Sequence, residues 1–433
     1  MKSKKNDAPD AWDSAVVSTH DLLKTKNKPG RPREGLADHL SSEDRRRCQN
    51  LFYGVIRNIA LIEWGINQNM RRPPKGLLRA LLLVAGYELL CGVRGEGPAV
   101  QQVVHHAVGK AKKLVSAPEA RLANAVLRKV PETLEGRLAQ TPSDAAGLAL
   151  AYSHPEWLVS KWMRELGFET TSRLLAWNQR PADDYLRVFG DLPREAKDVL
   201  EPTPWPGFYS LGSGGWETAR ALLAAGRAYV QDPSTRLAPE LLCPAVGEQV
   251  LDLCAAPGGK TILLADALRP GGGPGPVSLD RPGARFRRLR ENLARYPWSE
   301  ARPVAAVLPE ATPADLESMG LPGVYDAVLL DVPCSNTGVF RRRADARWSL
   351  TPETLRELTG LQQRFLQTAA TFVRPGGRLV YSTCSLEPEE NREIAEGFVS
   401  ARRGAFELET ARPHFPWETG HDGGGAFLLR RVG

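Results

Sequence analysis

Cysteine is scarce in this sequence of 433 residues, and the few cysteines stand far apart. There are six of them, and no two form a Cys-x-x-Cys pair. This spacing excludes a disulfide-stapled scaffold and a zinc ribbon, since both need closely paired cysteines. Free thiols are typical of a reducing compartment, so we expect a soluble protein of the cytoplasm. Because paired cysteines are missing, we also expect no bound metal.

Apolar runs long enough for a membrane are missing as well. The longest strongly apolar stretch, Ala80–Tyr87, has Arg79 before it and Glu88 after it. A helix that spans a bilayer needs roughly 20 such residues. The opening residues MKSKKNDAPDAWDS hold no apolar core of a secretory signal. We therefore expect neither a membrane partner nor a leader peptide.

The composition that remains is that of a folded protein with a mildly basic charge. Hydrophobic residues make up 42% and charged residues 25%, which is typical of globular domains. The length suggests about three domains, and we expect a monomer. The net charge of +7 fits a polyanion partner without requiring one. For the basic stretch Lys24–Arg33 (KTKNKPGRPR), a solvated loop and an RNA contact are both open.

Helical periodicity dominates the chain from about residue 44 to residue 130. Leu51, Val55 and Ile59 recur four residues apart, and three further apolar stripes follow with spacings of three and four. Proline and glycine pairs such as Pro73-Pro74 separate the stripes. The pattern predicts an all-helical first domain. The next hundred residues are mixed and rich in Trp and Pro, where a local core and base stacking are both open.

Short apolar strands alternate with helical segments after residue 248. The predicted strands are Gln249–Leu253, Val277–Leu279, Ala327–Leu330 and Arg378–Ser382. This alternation favours a mostly parallel sheet with helices on both faces. Ligands of such sheets bind at the carboxyl ends of the strands, so the candidate site residues should lie there.

The first motif, Leu251–Thr261 (LDLCAAPGGKT), joins a strand to a helix through small residues. Small residues let backbone N–H groups approach a ligand closely. The ending GGKT imitates a phosphate-binding loop, but that loop needs glycine where Cys254 stands, which disfavours a nucleotide hydrolase. A nucleoside cofactor fits better and predicts an acid at the end of the second strand. Asp280 stands there, with a helix cap as its other interpretation.

The second and third motifs each place a cysteine just after a strand. Cys334 lies in DVPCSNTG, and Cys384 lies in YSTCS, 50 residues later. A zinc site would need a fuller set of ligands, and a disulfide is not expected in a reducing compartment. We favour a nucleophile together with a helper group.

These segments resemble the RNA cytosine-C5 methyltransferases of the Sun (RsmB) family. The likeness rests on DLCAAPGGKT, DVPCSNTG and YSTCSLEPEEN, and Gly420–Phe427 is similar to that family's last strand motif. Phe52–Arg57 and Leu122–Arg128 match the pattern of a NusB-like domain. The resemblance implies three parts: an all-α NusB-like RNA-binding domain (1–140), a small α+β linker subdomain (141–238) and an α/β Rossmann-like class I methyltransferase domain (239–433).

The resemblance also implies a chemistry, with RNA as substrate, small-subunit ribosomal RNA above all, and S-adenosylmethionine as cofactor. Cys384 would add to carbon 6 of the cytosine, and Cys334 would assist its release. Asp331 would stabilise charge at N3, and Lys260 would lie near cofactor and base. The implied cofactor-binding residues are Cys254, Ala255, Ala256, Pro257, Gly258, Gly259, Lys260, Asp280 and Asp331.

Departures from the family pattern keep an alternative open. The segment Val304–Glu310 lacks the acid that usually ends the third strand, and Glu310 is a possible substitute. A chain that had lost cofactor binding would be a non-catalytic NusB-like RNA-binding or ribosome-assembly factor. A DNA-type cytosine enzyme would use Cys334 as its nucleophile, whereas the second cysteine at position 384 favours RNA.

Two basic clusters are candidates for phosphate contact. Residues 281–302 hold seven Arg against two Glu, and Arg341–Arg343 with Arg347 follow the Cys334 motif. Either cluster alone fits a solvated face. Beside a site for RNA, we expect both clusters to contact phosphate groups.

Overall fold

The computed structural model describes residues 10–24, 37–212 and 215–433. The chain forms two compact units. The helical unit contains Met1–Arg180 and Phe340–Ser349, and the sheet unit contains Pro181–Val339 and Leu350–Gly433. The three predicted domains, 1–140, 141–238 and 239–433, stay a prediction. Apart from Lys24, the basic stretch ending at Arg33 lies outside the described residues.

The helical unit is built from the predicted amphipathic segments. Its main helices are α1 (Ala11–Lys24), α2 (Ser42–Asn67), α3 (Gly76–Val93), α4 (Val100–Leu114), α5 (Ala117–Leu127), α6 (Val130–Leu138), α7 (Ala145–Ala151) and α8 (Glu156–Gln179). Side chains that accept from backbone N–H groups cap several of them, as Ser41 caps α2 and Ser116 caps α5. The apolar stripes meet in one core that includes Leu51, Val55 and Leu81.

Helix α3 is apolar over most of its circumference, with Arg79 and Glu88 as its only charged residues. By length and composition it is the one helix of the described residues that could cross a membrane, with a hydropathy of 1.7. Most of its apolar side chains, including Leu81, Leu82 and Leu89, are instead fully buried in the core of the helical unit. A helix surrounded by other helices has no polar face to preserve, which explains its composition.

The ten residues Phe340–Ser349 belong to the helical unit, although the sequence around them belongs to the sheet unit. They include the short helix α14 (Ala346–Ser349). Arg347 is fully buried there and donates to the carbonyl oxygens of Ser153 at 3.1 Å and Asn178 at 3.2 Å. Arg341 is 3% exposed, and its guanidinium lies 4.3 Å from the ring centre of Trp177.

The expected phosphate contact of this second basic cluster is therefore wrong for Arg341 and Arg347. Both side chains are buried, and Arg347 donates hydrogen bonds to backbone carbonyl oxygens. Arg343 forms an ion pair with Asp345 at 2.9 Å. A run of arginines looks the same in sequence whether it is solvated or buried.

The sheet unit begins with a small antiparallel sheet of order β2-β3-β1-β4. Its elements are β1 (Tyr185–Val188), β2 (Leu200–Pro202), β3 (Phe208–Leu211), α9 (Trp216–Ala224) and β4 (Ala228–Val230). Leu186, Val188 and Leu222 belong to its core. This is the predicted small α+β subdomain.

The large sheet follows, with the order β10-β11-β9-β8-β5-β6-β7. Its strands are β5 (Val250–Leu253), β6 (Val277–Asp280), β7 (Arg302–Ala305), β8 (Tyr325–Asp331), β9 (Val373–Thr383), β10 (Phe406–His414) and β11 (Gly424–Arg431). Strands β5 to β9 run parallel, and β10 and β11 are antiparallel. The helices are α10 (Leu237–Leu242), α11 (Gly259–Leu268), α12 (Ala284–Leu293), α13 (Pro313–Ser318), α15 (Pro352–Thr371), α16 (Arg392–Ala401) and α17 (Pro416–Thr419).

Both faces of the large sheet are covered, as the continuous apolar strands predict. Along β8, Val328 and Leu330 pack into one core, while Ala327 and Leu329 pack into the core on the other face. In the sheet, β5 has β6 on one side and β8 on the other, so the order of the strands reverses at β5. A crevice opens at the carboxyl end of a strand where the order reverses in this way. The predicted fold class is confirmed.

Candidate active site

Two cysteines lie side by side at the carboxyl ends of neighbouring strands. β8 ends at Asp331 and β9 at Thr383, and the strands run parallel with Asp331 paired to Ser382. Cys334 and Cys384 follow these ends, and their sulfur atoms are 3.2 Å apart. The structure therefore brings the two predicted thiols together at one point of the sheet edge.

The surroundings of the two thiols differ. Cys334 is buried, whereas Cys384 is half-buried. The hydrogen bond with Cys384, burial and the charge of Glu390 raise the pKa of Cys334 well above its ordinary value. Cys334 therefore keeps its proton and can donate it toward the Cys384 sulfur. The Cys384 thiol in turn donates to Asn336 Oδ1 at 3.4 Å.

An ion pair lies beside the thiols. Lys260, in the first turn of α11, places Nζ 2.6 Å from Oδ2 of Asp331. The other oxygen, Oδ1, accepts a hydrogen bond from Ser382 Oγ at 2.8 Å. Burial alone would lower the pKa of Lys260, but the Asp331 charge and hydrogen bond outweigh it, so the pKa is raised. Lys260 stays cationic, and its charge also interacts with Cys384.

The predicted cofactor loop connects β5 to α11 in a tight path. Ala256 N donates to Oδ2 of Asp280 at 2.8 Å, so the acid at the end of β6 holds the loop directly. Gly258 directly precedes α11 as its N-cap and has a φ of 106°, a conformation that side-chain-bearing residues rarely adopt. A Cβ at Gly258 would lie 3.1 Å from Cδ1 of Leu289, which leaves little room for a side chain.

The predicted cofactor residues fall on this loop and on the adjacent strand ends. They are Cys254, Ala255, Ala256, Pro257, Gly258, Gly259 and Lys260 on the loop and first turn, Asp280 at the end of β6 and Asp331 at the end of β8. Cys254 has a φ of 59°, and burial raises its pKa, so its thiol stays protonated. We therefore do not expect Cys254 to act as a nucleophile.

Asp252, at the carboxyl end of β5, was not among the predicted site residues. It is fully buried, and its Oδ2 accepts from Thr261 Oγ1 at 2.6 Å. Its Oδ1 has no hydrogen-bond partner among the described residues. Burial raises the pKa of Asp252 to about 7, the Thr261 hydrogen bond lowers it and the Asp331 charge raises it further. The LDLCAAPGGKT motif contains this acid and was the available signal.

Several supporting residues were missed in the same way. Ser382 holds Asp331, and Glu390 accepts hydrogen bonds beside both cysteines. Both residues stand in the YSTCSLEPEEN segment, which therefore held a signal. Gln362, on α15, donates to Glu390 at 2.9 Å, and no motif marks it.

The remaining predictions concern residues that follow β6 and β7, the last two strands at one edge of the large sheet. Glu310 is exposed and lies in the turn after β7, so its role as a substitute acid stays a prediction. Along α12 and the following turn, Arg287, Arg290 and Arg295 are exposed. Their expected contact with phosphate also stays a prediction.

Comparison with known proteins assigns the chain to a family. A family model described as 16S rRNA methyltransferase RsmB/F matches residues 239–418, and the NusB family model matches residues 16–132. Ribosomal RNA small subunit methyltransferase B of Serratia proteamaculans is 30% identical, with 91% of each chain covered. The same enzyme of Erwinia tasmaniensis is 32% identical, again over 91% of each chain. The chain belongs to the RsmB family of rRNA methyltransferases.

Solved structures agree with the fold of this RsmB-family chain. A methyltransferase homolog protein from Pyrococcus horikoshii is 25% identical with a TM-score of 0.54, covering 68% of this chain and 100% of its own. NSun6 from Pyrococcus horikoshii, solved with the ligand SFG, has a TM-score of 0.53 and 20% identity, covering 64% of this chain and 98% of its own. The predicted family, NusB-like domain and methyltransferase fold are thus confirmed.

The cofactor of this methyltransferase is S-adenosylmethionine, as predicted. The site fits a ligand that carries positive charge on its sulfonium and ammonium groups. Asp252 interacts electrostatically with Asp280 and Asp331 as well as with Lys260. Oδ1 of Asp252 is a buried acceptor without a partner among the described residues, and a bound cationic ligand would supply a donor to it.

Proposed function

We propose that this RsmB-family methyltransferase modifies carbon 5 of a cytosine in RNA through a covalent adduct with Cys384. The observation that carries the proposal is the 3.2 Å separation of the Cys384 and Cys334 sulfur atoms beside the Lys260–Asp331 pair. The names of the bacterial relatives support a small-subunit ribosomal RNA as substrate. We propose further that the enzyme acts as a monomer in the cytoplasm.

Cys384 begins the reaction by adding to carbon 6. Carbon 5 of cytosine is a poor nucleophile, and addition of a thiolate to carbon 6 turns carbon 5 into an enamine-like centre. Cys384 is half-buried, so a base can reach it, and the cationic Lys260 interacts with it electrostatically. The target base must be unpaired or flipped out to reach this thiol.

Asp331 neutralises the charge that the addition of Cys384 creates on the cytosine ring. The proton that Cys384 loses passes to N3 through the Asp331 carboxyl group, so a thiol has been added across the conjugated ring without net charge. Lys260 and Ser382 each hold one oxygen of Asp331, which fixes the direction of the carboxyl group. S-adenosylmethionine, when bound, supplies the electrophilic methyl group for carbon 5.

Cys334 acts in the last step, in which the bond between Cys384 and carbon 6 of the methylated base is broken. The proton on carbon 5 must be removed so that the electron pair can re-form the 5,6 double bond and expel the Cys384 thiolate. Carbon 5 is bonded to carbon 6, so a base 3.2 Å from the Cys384 sulfur is within reach of that proton. Cys334 passes its own proton to the departing Cys384 sulfur, to which it is hydrogen-bonded, and its sulfur takes up the proton of carbon 5. The proton on N3 leaves through the Asp331 carboxyl group to water, which restores the starting state of both thiols.

Product analysis tests this function. Purified enzyme, S-adenosylmethionine with a labelled methyl group and small-subunit ribosomal RNA are incubated, and the digested nucleosides are identified by mass spectrometry. We expect the label in 5-methylcytidine. Label in any other nucleoside contradicts the chemistry, and no transfer by an enzyme that binds the cofactor favours the non-catalytic assembly factor.

A further inference from the structure

The carboxyl group of Glu390 is fully buried and accepts four hydrogen bonds from neutral donors. Its Oε1 accepts from Ser335 N at 2.8 Å and from Gln362 Nε2 at 2.9 Å. Its Oε2 accepts from Ser385 Oγ at 2.5 Å and from Ser335 Oγ. Hydrogen bonds to an ionised acceptor are short and strong, so this group fixes the positions of its donors.

The donors come from the two loops that carry the thiols. Ser335 directly follows Cys334, and Ser385 directly follows Cys384. One carboxyl group therefore joins two segments that are 50 residues apart in the chain. Because both serines bind the same oxygen of Glu390, a shift of either loop breaks a buried hydrogen bond.

The residues on the other side of each cysteine are held as well. Gln362 Nε2, which binds Glu390, also donates to the carbonyl oxygen of Pro333 at 2.9 Å. Next to Glu390 in the chain, Asn391 accepts from Thr383 Oγ1 at 2.6 Å and donates to Ser385 O at 2.7 Å. Each cysteine thus lies between two anchored neighbours, and the anchors meet at residues 390 and 391.

We propose that Glu390 is a positioning residue that sets the separation of the Cys334 and Cys384 sulfur atoms. The catalytic purpose of that separation rests on the proposed function, because the thiol that adds and the thiol that assists release must face the same base. The separation itself is a property of the folded enzyme without RNA. The charge of Glu390 is also one of the causes that raise the pKa of Cys334.

Two substitutions separate the shape of Glu390 from its charge. In Glu390→Gln the amide oxygen can face Ser335 N and Gln362, while the amide nitrogen faces two hydroxyl groups that can turn to accept. Glu390→Asp keeps the charge but withdraws the carboxyl group by about 1.5 Å, one carbon–carbon bond, so it cannot hold both loops. Glu393→Gln and Glu393→Asp are matched controls on the same segment, since Glu393 is exposed.

Thiol cross-linking by diamide measures the separation without any RNA. Diamide takes up both thiol hydrogens to become a hydrazine, while the two sulfur atoms form a disulfide, and peptide mass spectrometry quantifies the Cys334–Cys384 product. We expect Glu390→Gln and both control variants to cross-link within two-fold of the wild-type rate. Glu390→Asp should be about ten-fold slower, since a displacement near 1 Å disrupts reacting geometry.

Methylation kinetics provide the second readout. Glu390→Asp should lower kcat about 100-fold with an unchanged KM for RNA, and Glu390→Gln should keep most of the activity. A wild-type cross-linking rate in Glu390→Asp overturns the proposal, and so does a Glu390→Gln variant as slow as Glu390→Asp. If the wild type cross-links as expected but makes no 5-methylcytidine, the proposed function fails while the positioning stands.

A third variant covers the case in which Glu390→Asp does not fold. Ser385→Ala removes one link between the loops and leaves the carboxyl group in place. We expect its cross-linking rate to fall about three-fold, since one buried hydrogen bond is lost. An unchanged rate in Ser385→Ala contradicts the proposal.

Discussion

Lys260 Nζ lies 2.6 Å from Asp331 Oδ2, and this ion pair joins the cofactor loop to the strand that leads to Cys334. The lysine comes from the first turn of α11, and the aspartate ends β8. The pair is partly buried, so its attraction is screened less than that of a surface ion pair. A single contact thus joins the proposed site of the methyl donor to the proposed site of the reacting base.

Loss of the lysine should impair the chemical step more than RNA binding. In Lys260→Met we expect kcat to fall about 100-fold, because Asp331 loses its cation and the Cys384 thiolate loses a stabilising charge. The KM for RNA should change little. Lys197→Met is the control, since Lys197 is an exposed lysine of the same unit. A control that loses as much activity as Lys260→Met would show a general charge effect.

Loss of the serine that holds Asp331 should have a smaller effect. Ser382→Ala removes one hydrogen bond to Oδ1 and leaves the Lys260 contact intact. We expect a roughly five-fold lower kcat and about 1 kcal/mol less stability, the usual contribution of one buried hydrogen bond. Kinetics and chemical unfolding measure the two effects. Wild-type kcat in the folded variant would contradict the role of Ser382.

The pH dependence of stability should report on Asp252. Burial raises the pKa of Asp252 to about 7 from an ordinary value of 3.8, so between these limits the folded enzyme binds a proton that the unfolded chain lacks. Stability from this group is therefore full below about pH 4 and is lost as the pH rises toward 7. Asp252→Asn mimics the protonated form and should escape this loss.

Thermal unfolding without cofactor checks this prediction. The Tm of Asp252→Asn relative to that of the wild type should rise between about pH 4 and pH 7 and level off above, because in that range only the wild type takes up a proton on folding. The control is Asp198→Asn, which changes an exposed aspartate. A Tm difference that is independent of pH would contradict the raised pKa.

Much of the site could be predicted because strand ends leave a signal in sequence. An apolar run that stops at an acid marks Asp280 and Asp331, and the structure places both at the carboxyl ends of parallel strands. The strand bounds were close as well, with Gln249–Leu253 predicted against Val250–Leu253 observed. The longer strand β9 begins five residues before its predicted start at Arg378, because Val373 already pairs with Tyr325 and the turn sequence RPGG forms an irregularity between the two paired positions.

The contacts that decide the rest lie far apart in sequence. Arg347 is buried by carbonyl groups of Ser153 and Asn178, more than 160 residues away, so its sequence neighbourhood resembles a solvated basic cluster. The segment LEPEEN contains three glutamates, and only the loop conformation shows that Glu390 is the one that joins Ser335 to Ser385. Patterns along the chain mark residue types at strand ends, whereas side-chain partners across loops need the fold.

Arg347 itself should act as a stabilising residue of the helical unit. In Arg347→Met we expect a loss of about 3 kcal/mol in the free energy of unfolding, because buried carbonyl oxygens lose charged donors. Arg121→Met, a change of an exposed arginine in the same unit, should alter stability by less than about 0.5 kcal/mol. Denaturant unfolding measures both variants, and equal stabilities would contradict the structural role.

Covalent trapping tests the division of labour between the thiols most directly. Wild type, Cys334→Ala, Cys384→Ala and the control Cys243→Ala, which changes an exposed cysteine, are incubated with small-subunit ribosomal RNA and S-adenosylmethionine and separated on denaturing gels. We predict that Cys334→Ala accumulates a protein–RNA adduct, that Cys384→Ala forms none, and that Cys243→Ala behaves as wild type. An adduct that accumulates in Cys384→Ala and is missing in Cys334→Ala would make Cys334 the nucleophile and contradict the account.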